Sequence, residues 1–281
     1  MILNGIEVSA HIRSELKKEV SNLDSAGTRP LLATVLVGND PASITYISNK
    51  HKACNEIGIL TRDHKLDGNI SQSDLINLVE SLNDDSMVHG ILIQLPLPRH
   101  IDEYTVINKI SPRKDVDGLT VYNQGLLFAG RGELVPCTPK GIIEILRFYN
   151  IDVSGKDVVI VNRSNLVGKP LFLLFLGLDS TVTVCHSKTK NLVEKIKNAD
   201  ILVTAIGNRN VFTLTEDMIK KDTIVIDVGI SRHMGKVIGD VDFESVSKKS
   251  SWITPVPGGV GPMTICMLLK NTLIATRLQL K

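Results

Sequence analysis

Short apolar runs rich in leucine and β-branched residues recur along this chain, separated by stretches whose apolar positions return every three or four residues. The runs fall at Leu31–Val37, 88–95, Asp157–Val161, Thr181–Cys185, 201–205 and 223–228. A helical pattern near 43–57 follows the first run, and another spans 140–149. Buried-type strands alternating with helices predict an α/β fold of parallel sheets with crossover helices. Two segments rich in proline and glycine interrupt the alternation, RGELVPCTP at 131–139 and TPVPGGVGP at 254–262. They divide the chain into an amino-terminal α/β substrate domain, 1–138, and a Rossmann-like doubly wound domain, 139–262, with the active-site cleft expected between them. The last helix, 263–281, is apolar along one face and is expected to return to the first domain.

Composition narrows the class. The 281 residues are 43% hydrophobic and 22% charged, which suits a folded globular protein and excludes a disordered or fibrous one. Thirty-two basic and thirty acidic side chains are interspersed, with no basic block, so no nucleic acid partner is expected. The longest apolar run, 171–178, is less than half a membrane span, and residues 1–10 lack the basic start and apolar stretch of a secretion signal. No membrane partner is expected, and a cytoplasmic location is. Cys54, Cys137, Cys185 and Cys266 lie far apart without metal-ligand spacing, so buried free thiols and no metal site are expected.

Candidate chemistry clusters at the predicted strand ends. Asp40-Pro41 reads as an N-cap followed by proline at the first helical position. Ser43, Tyr46 and Lys50 then share one helical face, a combination of hydroxyl, phenol and amine that is unusual for a core, although a solvated lysine is the commoner case. Gln94-Leu95 ends a buried strand, where α/β sites form; a glutamine that merely satisfies a turn is the alternative. Lys114-Asp115-Val116-Asp117-Gly118 places two carboxylates in a turn without a nearby histidine, which suits recognition more than metal binding, or simple turn chemistry.

In the second domain, Asn162-Arg163-Ser164 through Gly168-Lys169-Pro170 follows a strand but matches neither a dinucleotide GxGxxG nor a P-loop. His186-Ser187-Lys188 ends the next strand, where an NAD enzyme usually carries an acidic residue for the ribose hydroxyls; donors there, with Arg163, favour a 2′-phosphate. His186 is read as a cofactor contact. Gly229 either lets backbone approach the nicotinamide or forms a tight turn.

Nine segments in order, VGNDPASITYISNKHKACNEIGI (37–59), ILIQLPLP (91–98), KDVDGL (114–119), PCTPKG (136–141), RSNLVGKP (163–170), TVTVCHSKT (181–189), ADILVTAIG (199–207), VIDVGI (225–230) and TPVPGGVGPMT (254–264), carry a resemblance. They are similar to the bifunctional methylenetetrahydrofolate dehydrogenase/methenyltetrahydrofolate cyclohydrolase family over nearly the whole chain. The resemblance implies a tetrahydrofolate pocket of Tyr46, Lys50, Gln94, Leu95, Asp117, Pro257 and Gly258, with Lys50, Tyr46, Gln94 and Asp117 catalytic. It also implies an NADP site of Thr138, Asn162, Arg163, Ser164, His186, Ser187, Ala205, Gly207, Gly229, Ile230 and Thr264, and a homodimer joined through the nucleotide domains. Where the family usually has glycine, this chain has Asn162, the non-glycine residue that best tolerates a left-handed turn.

The implied chemistry is oxidation of a methylene bridge by NADP, then hydrolysis of the methenyl product. Lys50 is the candidate base for the second step, which requires its pKa to fall from about 10.4 to near 7. A monofunctional dehydrogenase, a shikimate-dehydrogenase-like oxidoreductase and a catalytically silent nucleotide-binding protein are the alternatives.

Overall fold

The computed structural model describes residues 1–233 and 235–280. In chain order the helices are α1 (Gly5–Ser25), α2 (Pro41–Ile57), α3 (Gln72–Asp84), α4 (Glu103–Ile107), α5 (Val121–Phe128), α6 (Cys137–Phe148), α7 (Gly168–Leu176), α8 (Leu192–Lys197), α9 (Phe243–Lys249) and α10 (Val260–Leu280). The strands are β1 (Leu31–Val37), β2 (Leu60–Leu66), β3 (Gly90–Ile93), β4 (Asp157–Val161), β5 (Thr181–Cys185), β6 (Ile201–Thr204), β7 (Ile224–Asp227), β8 (Ser231–His233), β9 (Lys236–Ile238) and β10 (Trp252–Ile253). They form two compact units, one of His11–Cys137 with Ile265–Lys281 and one of Met1–Ala10 with Thr138–Thr264.

The first unit is built on a parallel sheet of order β2-β1-β3. All seven residues of β1 are buried, as expected of a central parallel strand covered on both faces. β2, LTRDHKL, is too polar to stand out as a strand; its seven residues pair in register with β1. α2 starts where the sequence indicated. Asp40 caps it by accepting from Ser43 N at 2.8 Å, and Gly58 ends it in a left-handed conformation at φ 91°. The buried Lys114 caps the end of α3, donating from Nζ to the carbonyls of Leu82, Asn83 and Asp85 at 3.0, 2.6 and 2.8 Å. Residues 265–280 of the last helix belong to this unit: Asn271, fully buried, donates to Val116 O and Val135 O at 2.7 and 2.9 Å.

The second unit holds five parallel strands in the order β10-β7-β6-β4-β5. The chain runs from β4 outward to β5, then returns to the other side of β4 to lay down β6. The switch point of this doubly wound sheet therefore lies between β4 and β6. The fifth strand, β10, is only two residues long and is too short to read in advance. Residues 1–10, which the sequence reading grouped with the first domain, pair here instead. Leu3 N donates to Ile253 O at 2.9 Å and Ile253 N to Met1 O at 3.0 Å, so the amino terminus extends the sheet edge at β10. The stretch 254–262, expected to be irregular throughout, becomes helical at Val260. Pro262 is tolerated there because the first turn has no partner for the missing N–H.

Candidate functional site

The first unit gathers four of the expected residues around one amine. Lys50 is 1% exposed, a rare state for a lysine. Its Nζ donates to Gln94 Oε1 at 3.0 Å and lies 4.4 Å from the centre of the Tyr46 ring. Tyr46 and Lys50 meet because they are four residues apart on α2. Gln94 arrives from the carboxyl end of β3, where the ladder continues through Gln94 N to Val35 O at 2.9 Å. Its Nε2 is held by Leu95 O at 2.8 Å, which leaves Oε1 to face the amine.

The two carboxylates of the KDVDG segment part company. Asp115 is buried and accepts from Leu119 N, Thr120 N and Asn123 Nδ2 at 3.1, 2.9 and 2.8 Å, so it shapes the turn. Asp117 is half-buried and has the Cys137 thiol as a weak partner, with Sγ 3.5 Å from Oδ1. Ser43, expected on the reactive face, is spent on the helix cap, its Oγ donating to Asp40 Oδ2 at 2.8 Å.

The electrostatics follow from burial. Desolvation lowers the Lys50 pKa to about 8, against the opposing pull of the Asp117 carboxylate. Burial raises Asp117 to about 6, with the Lys50 charge pulling it back. Burial, then the Asp117 charge, raises the Tyr46 phenol, so it stays protonated at neutral pH. Cys54, one turn from Lys50, is pushed up to about 12 by burial, and all four cysteines are buried thiols outside any disulfide. The unit thus holds an amine able to be neutral near physiological pH beside an acid that is mostly ionised there.

The remaining expected residues lie in the second unit. Pro257 and Gly258 are in the loop before α10, where Gly258 has φ 106° and its carbonyl accepts from Ile6 N at 3.2 Å. Thr138 and Thr264 share a hydrogen bond of 3.0 Å between hydroxyls. Arg163 and Ser187 are exposed after β4 and β5, and His186 accepts from Lys188 N at its Nδ1, 3.2 Å away. Gly207 and Ile230 border a cavity of about 530 Å³ at the ends of β6 and β7, with Arg209 and Arg232 also in its wall.

Asn162 does not adopt the left-handed conformation anticipated for it; it is absent from the residues of positive φ. Its side chain shapes the turn instead. Oδ1 accepts from Ser164 N, Ser164 Oγ and Gly168 N at 2.8, 2.7 and 3.0 Å, while Nδ2 donates to Ala205 O at 2.6 Å. The last bond spans the switch point, joining the end of β4 to the end of β6. Gly168 is needed for a close approach: a Cβ there would lie 2.1 Å from Asn162 O. Gly229 is buried, and Asp240 fills the space that a side chain there would need: a Cβ would sit 2.2 Å from its Cγ. Asp240 and Asp227 are not marked in the sequence, since nothing local signals that Asp227 accepts from the Asp240 amide or Asp240 from those of Ile206 and Gly207.

The second unit fits a dinucleotide on its own geometry: a switch point, a turn leading into a helix, exposed basic and hydroxyl groups after β4 and β5, and a cavity at the ends of β6 and β7. A doubly wound nucleotide-type unit together with an α/β unit built around a desolvated lysine defines a two-unit α/β enzyme of the dehydrogenase class. Comparison with known proteins is more specific. The description "Tetrahydrofolate dehydrogenase/cyclohydrolase, catalytic domain" matches residues 3–117, and "Tetrahydrofolate dehydrogenase/cyclohydrolase, NAD(P)-binding domain" matches residues 136–280. The chain belongs to the tetrahydrofolate dehydrogenase/cyclohydrolase family. A relative from Nitrosopumilus maritimus, named Bifunctional protein FolD, is 55% identical over 276 residues, covering 98% of this chain and 96% of its own. The crystal structure of the bifunctional enzyme FolD from Campylobacter jejuni is 48% identical with a TM-score of 0.96, covering 99% of both chains. A Trypanosoma brucei methylenetetrahydrofolate dehydrogenase-cyclohydrolase, solved complexed with NADP cofactor and inhibitor, is 36% identical with a TM-score of 0.94 over 100% of this chain and 98% of that one. Among the described residues, no helix is long and apolar enough to cross a membrane.

Proposed function

We infer that this chain oxidises 5,10-methylenetetrahydrofolate with NADP and hydrolyses the resulting 5,10-methenyltetrahydrofolate to 10-formyltetrahydrofolate. The observation that carries the hydrolytic half is Lys50, buried, hydrogen-bonded to Gln94 and lowered toward neutrality. A monofunctional dehydrogenase needs no such base. Family membership argues against a shikimate-type substrate, and the intact amine centre argues against a silent nucleotide-binding protein.

NADP, when bound, accepts the hydride in the first step. Arg163, Ser164, His186 and Ser187 would hold its adenosine end, and Ala205, Gly207, Ile230, Thr138 and Thr264 its nicotinamide end. The chain's part is alignment. Asp117 receives paired hydrogen bonds from the pterin 2-amino group and ring N–H, and the Tyr46 ring and Leu95 pack beside the bound substrate. In the second step a water adds to the methenyl carbon, and the C–N5 bond of the adduct then breaks, its electron pair taking a proton at N5 to leave the formyl group on N10. With one N–H of Lys50 committed to Gln94, the lone pair of the neutral amine is turned away from the amide and takes the proton of that water. The positive charge of the methenyl substrate lowers the amine further, which favours the base form when it is needed.

The direct test follows absorbance with methylenetetrahydrofolate and either NADP or NAD. Reduction of NADP followed by decay of the methenyl intermediate is expected; a folded protein that reduces neither cofactor would sink the reading. Arg163→Ala is expected to raise KM for NADP about tenfold while changing KM for NAD little, because only NADP carries the 2′-phosphate that pairs with a guanidinium. Equal effects on the two cofactors would remove Arg163 from that role.

Assembly as a homodimer is part of the same proposal. β5 ends the five-stranded sheet with an unpaired edge, Val182 and Val184 are only half-buried on it, and Leu176 of α7 is 51% exposed. Sedimentation velocity is expected to give twice the chain mass at micromolar concentration; the mass of a single chain there would refute it.

A further inference from the structure

We propose that Asp240 is a positioning residue for the nicotinamide end of the dinucleotide site, fixing the backbone that follows β6 against the backbone that follows β7. The inference rests on the reading of that site as an NADP site. Asp240 is fully buried, just beyond the β8–β9 hairpin. Its Oδ2 accepts from Ile206 N at 2.6 Å and its Oδ1 from Gly207 N at 2.9 Å. Those amides come directly after Ala205, and Gly207, held at φ 67°, borders the cavity together with Ile230. The Asp240 carboxylate sits in the space that a side chain at 229 would need, 2.2 Å from the ideal Cβ. Glycine at 229 therefore makes room for an acid, and the acid in turn sets the height of both strand ends.

Asp240 is itself held in place. Asp227, 3% exposed at the end of β7, accepts from Asp240 N and Gly229 N at 3.0 Å through Oδ1 and from Val241 N at 3.0 Å through Oδ2. Gly239 completes the interlock, for a Cβ there would fall 1.9 Å from Asp227 Oδ2. Two acids and two glycines thus bind three backbone segments, those after β6, β7 and β9, with no cation as direct partner in these bonds. Burial raises both acids, Asp227 to about 6 with the Asp240 charge adding to its cost, while backbone amides and the Arg209 charge pull Asp240 back. For stability alone, neutral packing of the same volume serves as well or better. What a carboxylate does better is hold two adjacent amides at once, in one orientation, at the rim of a binding cavity.

Asp240→Asn keeps the shape but offers one acceptor in place of two and points an N–H₂ at the remaining amide. Calorimetric titration with NADP is expected to show a Kd raised about tenfold or more, the loss associated with a hydrogen bond to a charged group. The ratio of dehydrogenase to cyclohydrolase turnover is expected to fall by a similar factor, because methenyl hydrolysis consumes no dinucleotide. A purely structural role would lower both activities together and leave the Kd of the folded fraction unchanged, and that outcome overturns the proposal. Should Asp240→Asn fail to fold, Gly229→Ala tests the same contact by driving a methyl into the carboxylate without changing charge, with the same expected Kd and ratio. If the unaltered protein does not bind NADP, the cofactor reading falls and this proposal with it; if it binds and both variants bind equally well, only the role of Asp240 is lost.

Discussion

Lys50→Met is expected to lower methenyl hydrolysis by about 10²- to 10⁴-fold while leaving measurable oxidation of the methylene substrate. Methionine keeps most of the volume and removes only the amine, so a folding defect should be small. In the unaltered protein the rate of hydrolysis should rise with pH and level off above about 8, the pKa to which burial lowers the amine, because the neutral form is the base. The positively charged substrate moves that inflection downward in the complex. Initial rates of methenyl decay across pH, corrected for the uncatalysed reaction, check this. Equal retention of both activities in the variant, or a hydrolysis profile unchanged by it, would remove Lys50 as the base. The variant also predicts its own control: the Lys50 charge holds Asp117 down, so its loss should move Asp117 above about 6.

Asp117→Asn is expected to lower kcat/KM about 10²-fold or more for both reactions, since an amide presents one acceptor where the pterin edge offers two donors. Removal of one partner from a hydrogen-bonded charge pair typically costs about 2 to 5 kcal/mol, which sets that scale. Both activities should fall alike, in contrast to Lys50→Met, because recognition precedes both steps. Loss of one activity alone would show that Asp117 acts on the chemistry and not on binding.

The pH trends at Asp117 oppose each other. Binding needs the carboxylate and should weaken as pH falls through about 6. Stability moves the other way: with the folded pKa raised above the usual 3.8, this group's contribution is fully present below that value and is lost as pH rises through about 6. An optimum for binding that is not the optimum for melting temperature is therefore expected from this residue.

Much of this architecture was legible because parallel strands buried on both faces leave continuous apolar runs, as in β1, β4, β6 and β7. Polar β2 and two-residue β10 carry no such mark; pairing with a neighbouring strand defines them. The spacing of Tyr46 and Lys50 gave their shared helical face, but not that Ser43 on the same face would be spent on capping. Similarly, the two acids of KDVDG look alike in one dimension, and only the amides around Asp115 separate a structural acid from an available one. Asp227 and Asp240 were missed for a related reason: their partners are backbone atoms from distant segments, and backbone leaves no trace in composition.

Asn162 clasps the turn after β4 with three hydrogen bonds to its Oδ1 and ties it to the carbonyl of Ala205 with a fourth from its Nδ2. A glycine turn keeps its freedom until a ligand arrives and must lose that entropy on docking; a turn clasped by a carboxamide loses it during folding. In this chain the turn proposed to receive the cofactor is thus ordered in advance and rests on the integrity of the sheet beneath it, so that heat or denaturant which loosens the β4–β6 seam should cost cofactor affinity before it unfolds the chain.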